Sequence, residues 1–118
     1  MNIGVDFGTT YTKIAYLDDD ERLKLFEYPK GSSSRNYIPT AVSYRQGQTS
    51  HTFKIGKAAR LNRLKKNFIF CENFKMLLPL DRKKQWFKHG WSAEAPEPAE
   101  VVKDYLGSLL RSDKKSVE

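Results

Sequence analysis

The chain has 118 residues, with 21 Lys and Arg against 14 Asp and Glu, for a formal charge of +7. At this length a single domain is the default, and a two-lobed enzyme is excluded. Aromatic residues at 13% argue against disorder, and no apolar run approaches the roughly 20 residues of a membrane span. No charged n-region and apolar h-region open the chain, so no signal peptide is expected and the location is read as cytoplasmic. The one cysteine, Cys71, has no partner for an internal disulfide and no His or second Cys at ligand spacing, so it is read as a buried or incidental thiol.

In chain order, Met1, Ile3, Val5 and Phe7 alternate with polar or small residues, the period of a strand with one apolar face. Gly8-Thr9-Thr10 reads as a tight turn. Tyr11–Leu17 reads as a second strand, with Ile14 and Tyr16 on one face and Ala15 and Leu17 on the other, so the two form a hairpin. The acidic Asp18–Glu21 turn ends it. Leu23, Leu25, Phe26 and Tyr28 suggest a third strand, and residues 29–36 are a loop by composition. Extended structure resumes over Ile38–Tyr44, with Pro39 restricted to a strand start or edge. Gln46-Gly47-Gln48 is a turn and Thr52–Ile55 a short returning strand, which Gly56 breaks. Residues 57–66 read as a helix with Ala58, Leu61 and Leu64 on its apolar side. Phe68–Phe70 is too short to assign, Glu72–Leu78 is one or two helical turns closed by Pro79, and residues 80–95 are irregular. Pro98 opens the clearest helix, with an apolar stripe of Val102, Tyr105, Leu106, Leu109 and Leu110.

Residues 54–88 hold eleven Lys and Arg against Glu72 and Asp81 only, a net +9, while the remaining ten cations face twelve carboxylates. Such asymmetry fits a polyanion partner or a solvated basic face. With Phe68, Phe70, Phe74, Trp86 and Phe87 interleaved it also fits a small module for single-stranded nucleic acid. No zinc, helix-turn-helix or RNA-recognition signature accompanies it, so nucleic acid is the lesser expectation.

The segment Asp6-Phe7-Gly8-Thr9-Thr10-Tyr11 carries the most chemistry. A strand ends in a carboxylate and a Gly-hydroxyl turn follows, which can aim backbone N–H groups at an anion. A divalent cation between Asp6 and phosphate would relieve their repulsion. The pattern is open to a plainer reading, an ordinary hairpin with threonines in its turn and a solvated Asp6. It is neither a Walker loop nor Gly-x-Gly-x-x-Gly.

Ile3–Thr12 resembles the first phosphate motif of the Hsp70 chaperone ATPase domain, in the actin/hexokinase/Hsp70 superfamily. Ile38–Tyr44, Ile55–Arg60, Glu72–Leu78 and Pro98–Leu110 resemble that family's next landmarks, in the same order. The resemblance implies an α/β chain with an incomplete ribonuclease-H-like (actin-like ATPase) fold. That fold would comprise an N-terminal three-strand mixed or antiparallel sheet, a small α+β lobe and a long C-terminal helix. It divides the chain into residues 1–37 and 96–118 (subdomain IA-like) and 38–95 (subdomain IB-like). It further implies ATP or ADP with Mg²⁺ as ligands: Asp6 would hold the metal through water, and Gly8, Thr9, Thr10 and Tyr11 would contact the β- and γ-phosphates. Lys75 would be the catalytic-type lysine that neutralises γ-phosphate charge. The second phosphate motif, Asp-Leu-Gly-Gly-Gly-Thr, and the adenosine motif are absent from these 118 residues. Roughly the first third of the ATPase domain is therefore expected, with weak or no hydrolysis alone. The first strand would be left an open edge, apt to recruit the rest of the domain or a second copy. A regulatory or non-functional short product is the remaining alternative.

Overall fold

The computed structural model describes residues 3–28, 37–47, 52–80 and 83–117. It is a mixed α/β arrangement with two antiparallel sheets. The first sheet is built on the hairpin: β1 (Ile3–Phe7) pairs with β2 (Tyr11–Leu17), Val5 opposite Ile14 and Phe7 opposite Thr12. The outer side of β2 is shared by β3 (Leu23–Leu25), opposite its C-terminal half, and β4 (Ile38–Pro39), opposite its start. Four strands therefore replace the expected three, and every pairing in the sheet is antiparallel. Pro39 sits opposite Tyr11, while the neighbouring Thr40 N–H donates to the Thr10 carbonyl at 2.8 Å. Main-chain groups on one strand alternate sides, so Pro39 occupies a position that needs no donor toward β2.

The chain changes sheet at Thr40. β5 (Ala41–Arg45) is the centre of the second sheet, flanked by β6 (Phe53–Ile55) and β7 (Phe68–Glu72). Ile38 and Pro39 belong to the first sheet, and Ala41 opens the second. Four consecutive residues of β5, Ala41 to Tyr44, are buried, as befits a strand covered on both faces. Asn62, just after α1 (Gly56–Leu61), donates to the Ser43 hydroxyl at 3.1 Å on one face. On the other, the Tyr44 hydroxyl donates to Asp104 Oδ2 at 2.7 Å, tying the sheet to α3 (Pro98–Val117).

Three expectations are corrected here. The helix expected over residues 57–66 ends at Leu61 and turns the other way: Leu61 and Leu64 are 70% and 88% exposed, and Gly56 and Ala59 are its buried residues. Its contact with β5 runs through the polar Asn62–Ser43 pair, which an apolar-spacing argument does not detect. Residues 80–95 are not wholly irregular, because they contain α2 (Lys83–Lys88). Trp86 secures this short basic helix by packing inward and donating its indole N–H to the Leu80 carbonyl at 2.6 Å. Along α3 the stripe includes Val101, fully buried, and runs out by Leu110, which is 41% exposed. Phe68–Phe70 is resolved as part of β7, and the helical turn after Glu72 is a 3₁₀ turn over Phe74–Leu77. The loop expected over residues 29–36, Met1 of the first strand and Gln48 of the turn lie outside the described residues.

Trp86 and Trp91 are both packing residues, and Trp91 donates to the Pro96 carbonyl at 3.0 Å. Cys71 is buried, and burial pushes its thiol up to about 12. Among the described residues no helix is long and apolar enough to cross a membrane.

Candidate functional site

The hairpin tip is shaped by Gly8. Its N–H donates to the Tyr11 carbonyl at 3.0 Å, closing the turn with Thr9 and Thr10 at the apex. A Cβ at Gly8 would run into the Tyr11 carbonyl oxygen, so glycine is required by close backbone approach. Gly4, four residues earlier, has open space where a Cβ would stand.

A buried polar knot holds the tip from below. Thr40 Oγ1 donates to the Gly8 carbonyl at 2.9 Å and lies 2.7 Å from Thr12 Oγ1. A threonine hydroxyl has one proton, so with that of Thr40 given to Gly8, Thr12 is the donor in the pair. The Tyr105 hydroxyl reaches the Ile38 carbonyl at 3.4 Å, bringing α3 into the same knot. Burial raises the Tyr105 phenol to about 12, and the Thr12 and Thr40 hydroxyls oppose part of that shift. Phe7 and Phe74 close around the Tyr105 ring with centroids 6.0 and 5.9 Å from it.

The structure brings Lys75 to this tip from 68 residues away. Its Nζ donates to the Phe7 carbonyl at 2.6 Å and lies 5.6 Å from the Phe7 ring centroid. Two local features deliver it. β7 returns antiparallel to β5 and ends at Glu72, opposite Ala41, just past the sheet switch. Asn73 then adopts a left-handed conformation, φ 58°, which asparagine tolerates better than most residues, and the 3₁₀ turn follows. The buried Phe74 and Leu77 anchor that turn, leaving Lys75 exposed between them.

Of the other residues singled out, Asp6 is exposed on β1 opposite Lys13. Thr9 is half-buried and Thr10 exposed. Tyr11 is 44% exposed, and its hydroxyl accepts from Arg60 Nη1 at 3.2 Å while the guanidinium lies over its ring at 4.9 Å. Two cations, Lys75 and Arg60, therefore flank the turn. Thr40, Arg60 and Tyr105 join these residues around the hairpin, Tyr105 being marked by the sequence only as a member of the α3 stripe. A threonine inside the apolar run Ile38–Tyr44 was the available signal for Thr40, whereas nothing distinguished Arg60 from the other cations around it.

The donor set suits a phosphate ester. It combines hydroxyls at the tip, cations on two sides, and one carboxylate that could hold a hydrated divalent ion, since Mg²⁺ is commonly bound by one or two carboxylates plus phosphate and water. Among the described residues no three His, Cys, Asp or Glu gather into a metal-binding group. Two clefts lie away from the hairpin. One, of about 540 Å³, lies beside Tyr44 and Glu100; the other, of about 370 Å³, beside Cys71 and Trp91.

The basic segment does not present a row of stacking rings. Phe74 and Trp86 are buried and Phe68 and Phe70 half-buried, while Phe87 is 47% exposed.

Compared with protein-family models, with curated proteins and with solved structures, the chain matches none.

Proposed function

We propose that this chain is the ATP-binding element of an Hsp70-like chaperone ATPase, with an incomplete actin-like fold and a cytoplasmic location. The observation that carries the reading is Lys75. A cation that sequence spacing alone leaves among many basic residues stands 2.6 Å from the main chain of the β1–β2 hairpin. An ammonium group has three donors, and the Phe7 carbonyl takes one, so phosphate oxygens beside the tip could be served by the same side chain. In this reading Asp6 holds hydrated Mg²⁺, and Gly8 lets the turn close tightly. Thr9, Thr10 and Tyr11 line the phosphates, and Lys75 neutralises developing charge at the γ-position. Binding is proposed; turnover would require the second phosphate motif.

The test is thermal unfolding with and without Mg·ATP on the wild type, Asp6→Asn and Lys75→Met. A ligand at 100 times its Kd stabilises by about 2.7 kcal/mol. In a domain near this size each kcal/mol moves Tm by about 4–8 °C. The wild type is expected to shift and both variants to lose most of the shift while keeping their nucleotide-free folding. No shift in the wild type, or an undiminished shift in Asp6→Asn, would overturn the reading.

A further inference from the structure

β1 is the outer strand of its sheet and pairs only with β2 among the described residues. Antiparallel ladders alternate bonded and non-bonded pairs, so one hydrogen bond fixes the phase of a whole strand. Gly8 donates to Tyr11, which makes Gly8/Tyr11 a bonded pair, and hence also Asp6/Lys13 and Gly4/Ala15. The far side of β2 agrees: the Phe26 N–H donates to the Ile14 carbonyl at 2.8 Å, so Ile14 faces β3 and not Val5. The main-chain groups of Ile3, Val5 and Phe7 therefore point to the open edge. Of these, the Phe7 carbonyl is already taken by Lys75 Nζ. Lysine at a sheet edge is a recognised block to further pairing. Three donors and two acceptors remain, the N–H groups of Ile3, Val5 and Phe7 and the carbonyls of Ile3 and Val5, so that Ile3 and Val5 alone keep both groups open; their side chains are 38% and 44% exposed.

We propose that this edge pairs with the same edge of a second copy, antiparallel about a two-fold axis through Gly4. Ile3 of each copy then lies opposite Val5 of the other, and four main-chain hydrogen bonds use every edge-facing group of the two residues. The pattern is self-complementary, as a two-fold interface demands, and this is what favours a second copy over an unrelated strand. Centring the axis on Val5 instead would set Phe7 opposite Ile3 and call on the carbonyl that Lys75 holds. At the Gly4 axis the facing pair is non-bonded, with Cα atoms about 4.5 Å apart, and the space where a Cβ of Gly4 would stand is open. The two Asp6 carboxylates lie on opposite sides of the axis, four residues or about 14 Å apart along the strand, so like charges do not face one another. Ile3 and Val5 share the core face with their partners Tyr16 and Ile14, so pairing also covers apolar surface that the single copy leaves wet. This inference stands apart from nucleotide binding.

The experiment is disulfide trapping in the full chain. Gly4→Cys places two thiols at the axis within disulfide reach, and mild oxidation is expected to yield a cross-linked dimer. Asp6→Cys and Val5→Cys, which lie off the axis, are expected to cross-link far more slowly. The buried, weakly acidic Cys71 contributes little background. Sedimentation of the wild type should show a monomer–dimer equilibrium. Val5→Pro should abolish it while preserving circular dichroism, because it deletes an N–H that points away from β2. A wild type that stays monomeric at every concentration would overturn the proposal, as would Val5→Cys or Asp6→Cys cross-linking as fast as Gly4→Cys.

Discussion

Thr40→Val tests whether the hairpin is held from beneath. Valine keeps the shape of threonine and removes only the hydroxyl, so the change acts on hydrogen bonds and not on volume. Two bonds go: Thr40 Oγ1 to the Gly8 carbonyl at 2.9 Å, and Thr12 Oγ1 to Thr40 at 2.7 Å. Both partners stay behind at a site where Thr12 is fully buried and Thr40 is 2% exposed. A net hydrogen bond contributes about 0.5–1.5 kcal/mol, and stranding a buried polar group costs about 1–3 kcal/mol. The expected loss is therefore roughly 2–3 kcal/mol, a large share of the 5–15 kcal/mol typical of a domain. With a urea m-value of about 1.5 kcal/mol/M, the midpoint should fall by roughly 1.3–2 M. The buried Trp86 and Trp91 report the transition by fluorescence. Thr12→Val and the double variant complete a cycle. Removing both hydroxyls strands less than removing one, so the double variant should cost clearly less than the sum of the singles. Additive losses, or a Thr40→Val cost below about 0.5 kcal/mol, would show that the hydroxyl pair does not bear on the hairpin.

The remaining expectations use the same denaturation assay. Gly8→Ala should destabilise by roughly 1–3 kcal/mol, because its methyl group meets the Tyr11 carbonyl, and Gly4→Ala by less than about 0.5 kcal/mol, because its methyl group meets nothing within 4 Å. Equal costs would refute the close-approach argument. Stability should also fall at alkaline pH. Burial raises the Cys71 thiol from 9.0 to about 12 and the Tyr105 phenol from 10.0 to about 12, and it raises Tyr44 further, helped by the bond to Asp104. Groups whose folded pKa is raised stabilise fully below the unfolded value, and that contribution drains away as pH climbs toward the folded one. The decline should begin near pH 9 with Cys71, steepen near pH 10 with the tyrosines, and approach about 1.4 kcal/mol per pH unit for each group involved. Cys71→Ala should remove the first part of the decline and leave the second; an unchanged profile would show that the thiol is not its source.

The parts of this structure legible in the sequence are those whose pattern is local. Alternation over Ile3–Phe7, a glycine at the turn and alternation again over Tyr11–Leu17 specify a hairpin without reference to anything else. Pro98 and the stripe to Leu109 do the same for α3. What was not legible depends on contacts that hydropathy does not encode. Ala58, Leu61 and Leu64 have helical spacing, yet the helix turns its other side inward because Ala59 fits closely and Asn62 finds Ser43. The short β4 could not be assigned to the first sheet from Ile38-Pro39 alone, since its partner, β2, lies more than twenty residues earlier. Thr40 combined both difficulties, a polar residue in an apolar run whose purpose appears only once Gly8 and Thr12 stand beside it.

Lys75 is where these levels meet. As a side chain it is an exposed cation on a 3₁₀ turn, fixed there by Phe74 and Leu77 beneath it. Its hydrogen bond to Phe7 joins the start of the chain to the segment after β7, ties the two sheets together at one end, and occupies the last edge-facing carbonyl of β1. The same 2.6 Å contact therefore leaves Ile3 and Val5 as the edge residues with both main-chain groups open and sets a positive charge beside the Gly8–Tyr11 turn. These two consequences separate experimentally, because one requires only a donor and the other requires an anion. Lys75→Met removes both at once. It should cost the nucleotide-dependent stabilisation and, by freeing the Phe7 carbonyl, let a second copy pair in the register centred on Val5 as well. The cross-linking preference for Gly4→Cys over Val5→Cys should then weaken in the Lys75→Met background. If that preference persisted while the nucleotide response was lost, the lysine would act on phosphate alone; if the nucleotide response survived while the preference was lost, it would act on the strand edge alone.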